Sequence, residues 1–207
     1  MSFPTTDAQG ELQAVNQILA SVGQAPVTTL EQTNPDVAIA YNTLQQVSRE
    51  VQAEGWTFNK EYHYPLKPDT DKEFKIPDNM LQIDLCTDVY YNKDKDPIRR
   101  DGKLYDRNSH SFEWEEDKTH YFDITWLFNW TDLPTPIRDY ITARASAIVS
   151  MRIVGDPNLY QALQQQEAYM RAMALEYETQ QGDYTFFGHP RGGNYYNSYQ
   201  PFHALYR

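Results

Sequence analysis

The hydrophobic period changes twice along this chain, and that double change most limits the folds open to it. Leu12, Val15, Ile18, Leu19 and Val22 recur at helical spacing, a one-sided stripe that predicts a first helix. Gly23 stands where a left-handed C-cap belongs. Asn34 and Pro35 supply an N-cap and a first-turn proline, and Val37, Tyr41, Leu44, Val47 and Val51 then repeat as far as Gly55, predicting a second helix. From Trp56 to Trp130 the period falls to two. Leu81, Ile83 and Leu85 alternate with Gln82, Asp84 and Cys86, and Phe122, Ile124, Trp126 and Phe128 alternate with Asp123, Thr125 and Leu127, as half-buried strands do. Turn formers between Asn92 and Pro97 and at Asp101-Gly102 separate these runs.

Helical spacing returns after Thr135-Pro136 with Ile137, Tyr140, Ile141, Ala145, Ile148 and Met151, and stops at Gly155. Asp156-Pro157 opens a last helix with the stripe Leu159, Leu163, Met170, Met173 and Tyr177, up to Gly182. The short connection predicts an antiparallel hairpin of helices three and four. The expected fold is therefore α+β: a four-helix bundle from residues 1–55 and 131–182, with a small antiparallel β module, 56–130, inserted between helices two and three. Residues 183–207 form an extended C-terminal arm. Its Tyr184, Phe186, Phe187, Tyr195, Tyr196, Tyr199, Phe202 and Tyr206 follow no period and are broken by Gly and Pro. Such a segment builds no core of its own, yet it is too aromatic for a solvated tail. Two readings stand: an arm docked on a partner, or one folded back over its own bundle.

Charge is distributed unevenly. Trp56 to Trp130 holds 27 of the 47 charged side chains, whereas Leu12–Leu30, Val37–Ser48 and Pro157–Gln166 hold none. Off their apolar stripes these helices instead carry amides, among them Gln13, Gln17, Gln45, Gln46, Gln164 and Gln165. Loss of charge with retention of hydrogen-bonding capacity marks surfaces that meet protein, so these glutamines are candidate subunit-interface residues. Neutral, exposed helix formers are the competing explanation. The net charge of −11 disfavours a dedicated nucleic-acid binder.

Signals for chemistry are sparse. There is no phosphate loop, nucleophile elbow or His-Glu-x-x-His helix, and no cofactor is expected. The lone Cys86 leaves no internal disulfide and predicts no cysteine-based zinc site. His63, His110, His120, His189 and His203 show no metal-ligand spacing. Asn92, Asp94 and Asp96 imitate half a calcium loop, but Pro97 and Lys103 occupy the glycine and glutamate positions. Glu113, Glu115, Glu116, Asp117 and Asp123 lie near Trp114 and Trp126, which allows a glycoside hydrolase as the alternative function; a solvated turn beside core tryptophans explains the same residues. A binding module with an aromatic peptide arm is a third possibility. Neither a secretory signal nor a stretch near the roughly 20 apolar residues of a membrane span is present, so synthesis in a cytosol and no membrane contact are expected.

The run Ala14-Val15-Asn16-Gln17-Ile18-Leu19-Ala20-Ser21-Val22-Gly23, with Pro26-Val27, Leu30 and Gly55-Trp56-Thr57-Phe58-Asn59, resembles the opening of the podovirus tail tubular protein A family. Leu104-Tyr105-Asp106-Arg107 resembles that family's tyrosine-aspartate-arginine strand. The likeness is close over the first 60 residues and mainly one of layout beyond them. It implies a non-enzymatic adaptor in the virion tail, a dodecameric ring joining the portal to the nozzle built from tail tubular protein B, with tail fibres attached nearby. Genome DNA would pass through the ring without specific binding.

Overall fold

A computed structural model describes residues 10–31, 34–86, 95–115 and 118–182. The element order is α1 (Gly10–Ser21), α2 (Pro35–Ala53), β1 (Lys60–Leu66), β2 (Met80–Leu85), β3 (Pro97–Arg100), β4 (Lys103–Asp106), β5 (His120–Trp126), α3 (Thr135–Ile153) and α4 (Pro157–Gly182). A 3₁₀ turn, Trp130–Asp132, leads into α3. The predicted arm, 183–207, lies outside the described residues, as do Asn92, Asp94, Glu116 and Asp117.

The helix boundaries follow from their caps. Asn34 Oδ1 accepts the Asp36 amide at 3.0 Å, and Asp156 Oδ1 accepts that of Asn158 at 2.9 Å, each satisfying a donor that a helix start leaves orphaned. Gly23 and Gly155 have φ values of +77° and +71°, the left-handed geometry that ends a helix at little cost only in glycine.

Two hydrophobic clusters organise the chain. The first joins Val15, Ile18 and Leu19 of α1, Val37, Leu44, Val47 and Val51 of α2, and Ile137, Tyr140, Ile141 and Val149 of α3. Helix α3 is its axis: Ala143, Ser146, Ala147 and Ser150 are buried as well, and the helical repeat puts them on the side away from Ile141 and Ala145. Their small size lets a neighbouring backbone approach closely. Ser146 and Ser150 need no outside partner, since each hydroxyl donates to a carbonyl of its own helix at 2.8 Å. Helix α4 packs antiparallel along α3. Its buried residues are Leu163, Ala174 and Gly182, with Met170 half-buried against the cluster. Met173, placed by its spacing on the apolar stripe, is 43% exposed; Ala174 takes the inward position in the first cluster, because close helix packing has room for a methyl and not for a long thioether.

The second cluster fills the β segment with Phe74, Met80, Leu85, Leu104, Trp114, Phe122 and Ile124. Among the described residues the β segment forms a three-stranded sheet of order β1-β5-β2 and the two-stranded hairpin β3-β4. The pairings are antiparallel. Asp101 and Gly102 both have positive φ, 52° and 70°, the tight-turn geometry that matches strand twist, so β3 and β4 pair locally and stay apart from the larger sheet. The alternation expected to run to Phe128 stops at Trp126. Register shifts between Met80 and Gln82 and between Glu61 and Tyr64 interrupt strict period two.

Candidate assembly surfaces and the junction between the clusters

Trp56 to Asn59 turn the chain from α2 into β1, and their polar groups are accounted for inside the protein. Asn59, fully buried, accepts the Trp56 amide on Oδ1 at 2.8 Å. Its Nδ2 donates to the carbonyls of Gln52 and Trp126, both at 2.8 Å. Gln52, also fully buried, accepts the Phe128 amide at 2.8 Å and donates to the Phe128 carbonyl at 3.2 Å. The Trp56 indole donates to the Val51 carbonyl at 2.7 Å. Two amide side chains thus bind the end of α2 to both ends of the β5 exit, where a fully satisfied buried network fixes geometry. Gly55, at φ +79°, makes the turn possible. Helix α4 reaches the same place: the Glu178 carboxylate accepts the Thr57 amide at 3.0 Å and its hydroxyl at 2.9 Å.

The Leu104–Arg107 run has an equally physical basis. The Asp106 side chain has no exposure, yet Lys95 lies 3.2 Å away, the Asp96 and Asn108 amides donate at 3.0 and 3.1 Å, and the Ser109 hydroxyl donates at 2.6 Å. Burial opposes the charge, but these donors together outweigh it and hold the pKa at about 2. Arg107 pairs with Asp96 at 2.7 Å, and Tyr105 lies under the Arg100 guanidinium at 4.1 Å. The motif is a loop clamp.

The six candidate interface glutamines, Gln13, Gln17, Gln45, Gln46, Gln164 and Gln165, are all exposed. Gln13 and Gln17 line a concavity of about 260 Å³ with Trp130, Arg138 and Asp139, and Gln45 lines a second of about 270 Å³ with Glu11, Arg49 and Trp130. Some hold local partners: Gln45 donates to Glu11 at 3.2 Å, Gln46 to Glu50 at 2.8 Å and Gln164 to the Tyr160 hydroxyl at 2.8 Å. Composition did not single out the large apolar residues beside them. Tyr169, Met173 and Leu175 on α4 are 63%, 43% and 46% exposed, and Met151 and Val154 at the end of α3 are exposed too. Mapping the α4 stripe onto α3 before assigning its inward face was the signal that would have found them.

The carboxylates weighed for hydrolysis go elsewhere. Trp114 is core, its indole donating to the Leu104 carbonyl at 3.2 Å, and is no sugar platform. Glu113 is exposed, Glu115 pairs with Lys118, and the Trp126 indole donates to Glu61 at 3.0 Å. Asp123 accepts the His63 amide at 3.1 Å and the Cys86 thiol at 3.0 Å. That grouping of His63, Cys86 and Asp123 had no trace in sequence spacing, because β1, β5 and the residue after β2 supply it. Of the other histidines, His120 is buried against Phe74 and Trp114, and burial lowers its pKa. His110 is exposed; His189 and His203 lie outside the described residues. No described helix is long and apolar enough to cross a membrane.

A family profile described as tail tubular protein matches residues 12–184. Among curated proteins, the tail tubular protein A of Klebsiella phage KP34 is 26% identical over 172 residues, covering 80% of this chain and 84% of that protein.

Proposed function

We propose a ring adaptor role for this chain, which belongs to the tail tubular protein family and is a structural component of a phage virion tail. The ring is dodecameric and joins the portal to the tail nozzle, with tail fibres attaching close by. The supporting observation is the presence of two different amide-bearing surfaces, Gln13, Gln17, Gln45 and Gln46 on α1 and α2 and Gln164 and Gln165 on α4, with Tyr169 and Met173 exposed further along α4. Unlike patches meeting head to tail produce a closed ring when the rotation between subunits closes. Residues 1–55 and 131–182 act as the helical unit that packs between subunits. Residues 56–130 form the inserted module that carries most of the charge and faces outward. The arm's aromatics, from Tyr184 to Tyr206, bury their area on a partner.

In this reading the protein's work is geometric. A net charge of −11 keeps the lumen from holding the phosphate backbone, so the duplex slides. Co-sedimentation of the purified chain with its portal is the test. Joint migration as one ring-bearing complex is expected, and failure to join the portal under any condition refutes the adaptor. No observation favours the hydrolase over this reading.

A further inference from the structure

We propose that His63, Cys86 and Asp123 form a binding site for a single zinc ion on the three-stranded sheet. An imidazole nitrogen, the thiol sulfur and a carboxylate oxygen lie within 4.8 Å of one another. Tetrahedral zinc, with bonds of about 2.0–2.3 Å, needs ligand atoms about 3.5 Å apart, a closure that side-chain rotation supplies. Thiolate, imidazole and carboxylate are the mixed donor set that zinc accepts, and a sulfur ligand selects against magnesium and calcium. Three protein ligands leave the fourth position to water.

The backbone around the site is shaped to this arrangement. Asp123 sits on the central strand β5, with β1 and β2 on either side. The pairing of β1 with β5 shifts between Glu61 and Tyr64, and inside this bulge His63 adopts φ +56°, a conformation uncommon outside glycine. Bulges re-aim side chains, and here the bulge brings His63 to Asp123, whose Oδ1 accepts its amide at 3.1 Å. Cys86, just beyond β2, is fixed by its own amide, which donates to the Tyr121 carbonyl at 3.0 Å. Its thiol meets the same Asp123 oxygen at 3.0 Å. Asp84, directly across from Asp123 on β2, adds negative potential. On binding, Cys86 gives its proton to solvent, and thiolate and carboxylate neutralise the cation. The ion would tie β1, β5 and the end of β2 together.

The test uses the full chain stripped with a chelator and titrated with Co²⁺, then with Zn²⁺ in competition. Expected are one ion per chain, an ultraviolet thiolate-to-cobalt band, its displacement by zinc, and its loss in Cys86→Ser. His63→Asn, which tolerates the left-handed backbone and lies on the surface, weakens binding at least about tenfold while leaving the circular dichroism unchanged. Absence of the thiolate-to-cobalt band from the unmodified chain, or zinc affinity equal in all three proteins, overturns the site and reduces the cluster to a thiol–carboxylate hydrogen bond.

Discussion

Asp106 carries a charge at a position without solvent exposure, and its donors make that charge a source of stability. Its pKa of about 2 lies below the ordinary 3.8, so the unfolded chain takes up the proton more readily. The contribution is complete above 3.8 and is lost as pH falls through about 2. At 1.36 kcal/mol per unit the group is worth about 2 kcal/mol. Asp106→Asn should therefore lower the urea-unfolding free energy by about 2 kcal/mol at neutral pH, with the difference from the parent vanishing near pH 2. Asn59 acts through neutral bonds. Asn59→Ala strands the Trp56 amide and two carbonyls at a buried junction, a loss of about 3 kcal/mol readable as a lower denaturation midpoint. Neither role was legible from composition. Asp106 and Asn59 stood out only as parts of family-like runs, because their partners, Lys95 and Trp126 among them, are set by the fold.

At the scale of elements, legibility followed the range of the interaction. Asn34, Gly23, Gly55 and Gly155 marked helix ends in the sequence because capping is decided within a few residues. The strand at Lys60–Leu66 had no comparable signal: it is mostly exposed, carries Pro65 and contains a bulge, so alternation is lost. Helix α4 shows the opposite difficulty. Its period was evident, but which residues face inward was settled by tertiary packing, which buries Ala174 in the first cluster and leaves Met173 outside. Tyr169 and Met173 lie four residues apart on one side of α4, 63% and 43% exposed. Changing both to aspartate should leave the isolated subunit's stability within about 0.5 kcal/mol of the parent, yet abolish ring formation, since an exposed tyrosine and methionine become anchors only when a partner buries them. Size-exclusion chromatography beside thermal melting separates the two effects; unchanged assembly removes α4 from the interface.

For the whole molecule, two hydrophobic clusters meet at a polar junction rather than merging into one core. The charge-dense β segment and the charge-poor runs of the helices hence present different surfaces, and that difference was already visible in the sequence as 27 of 47 charges confined to Trp56–Trp130. Membership of the tail tubular protein family makes this chain a structural component of a virion tail. In the proposed assembly, unlike helical faces of one chain close into a dodecameric ring on the portal. Native mass measurement of the portal-bound complex tests it most directly. A single species with dodecameric adaptor stoichiometry is expected, and it is absent when Tyr169 and Met173 are both changed to aspartate. A portal bound by isolated subunits, or by a variable number of them, would contradict it.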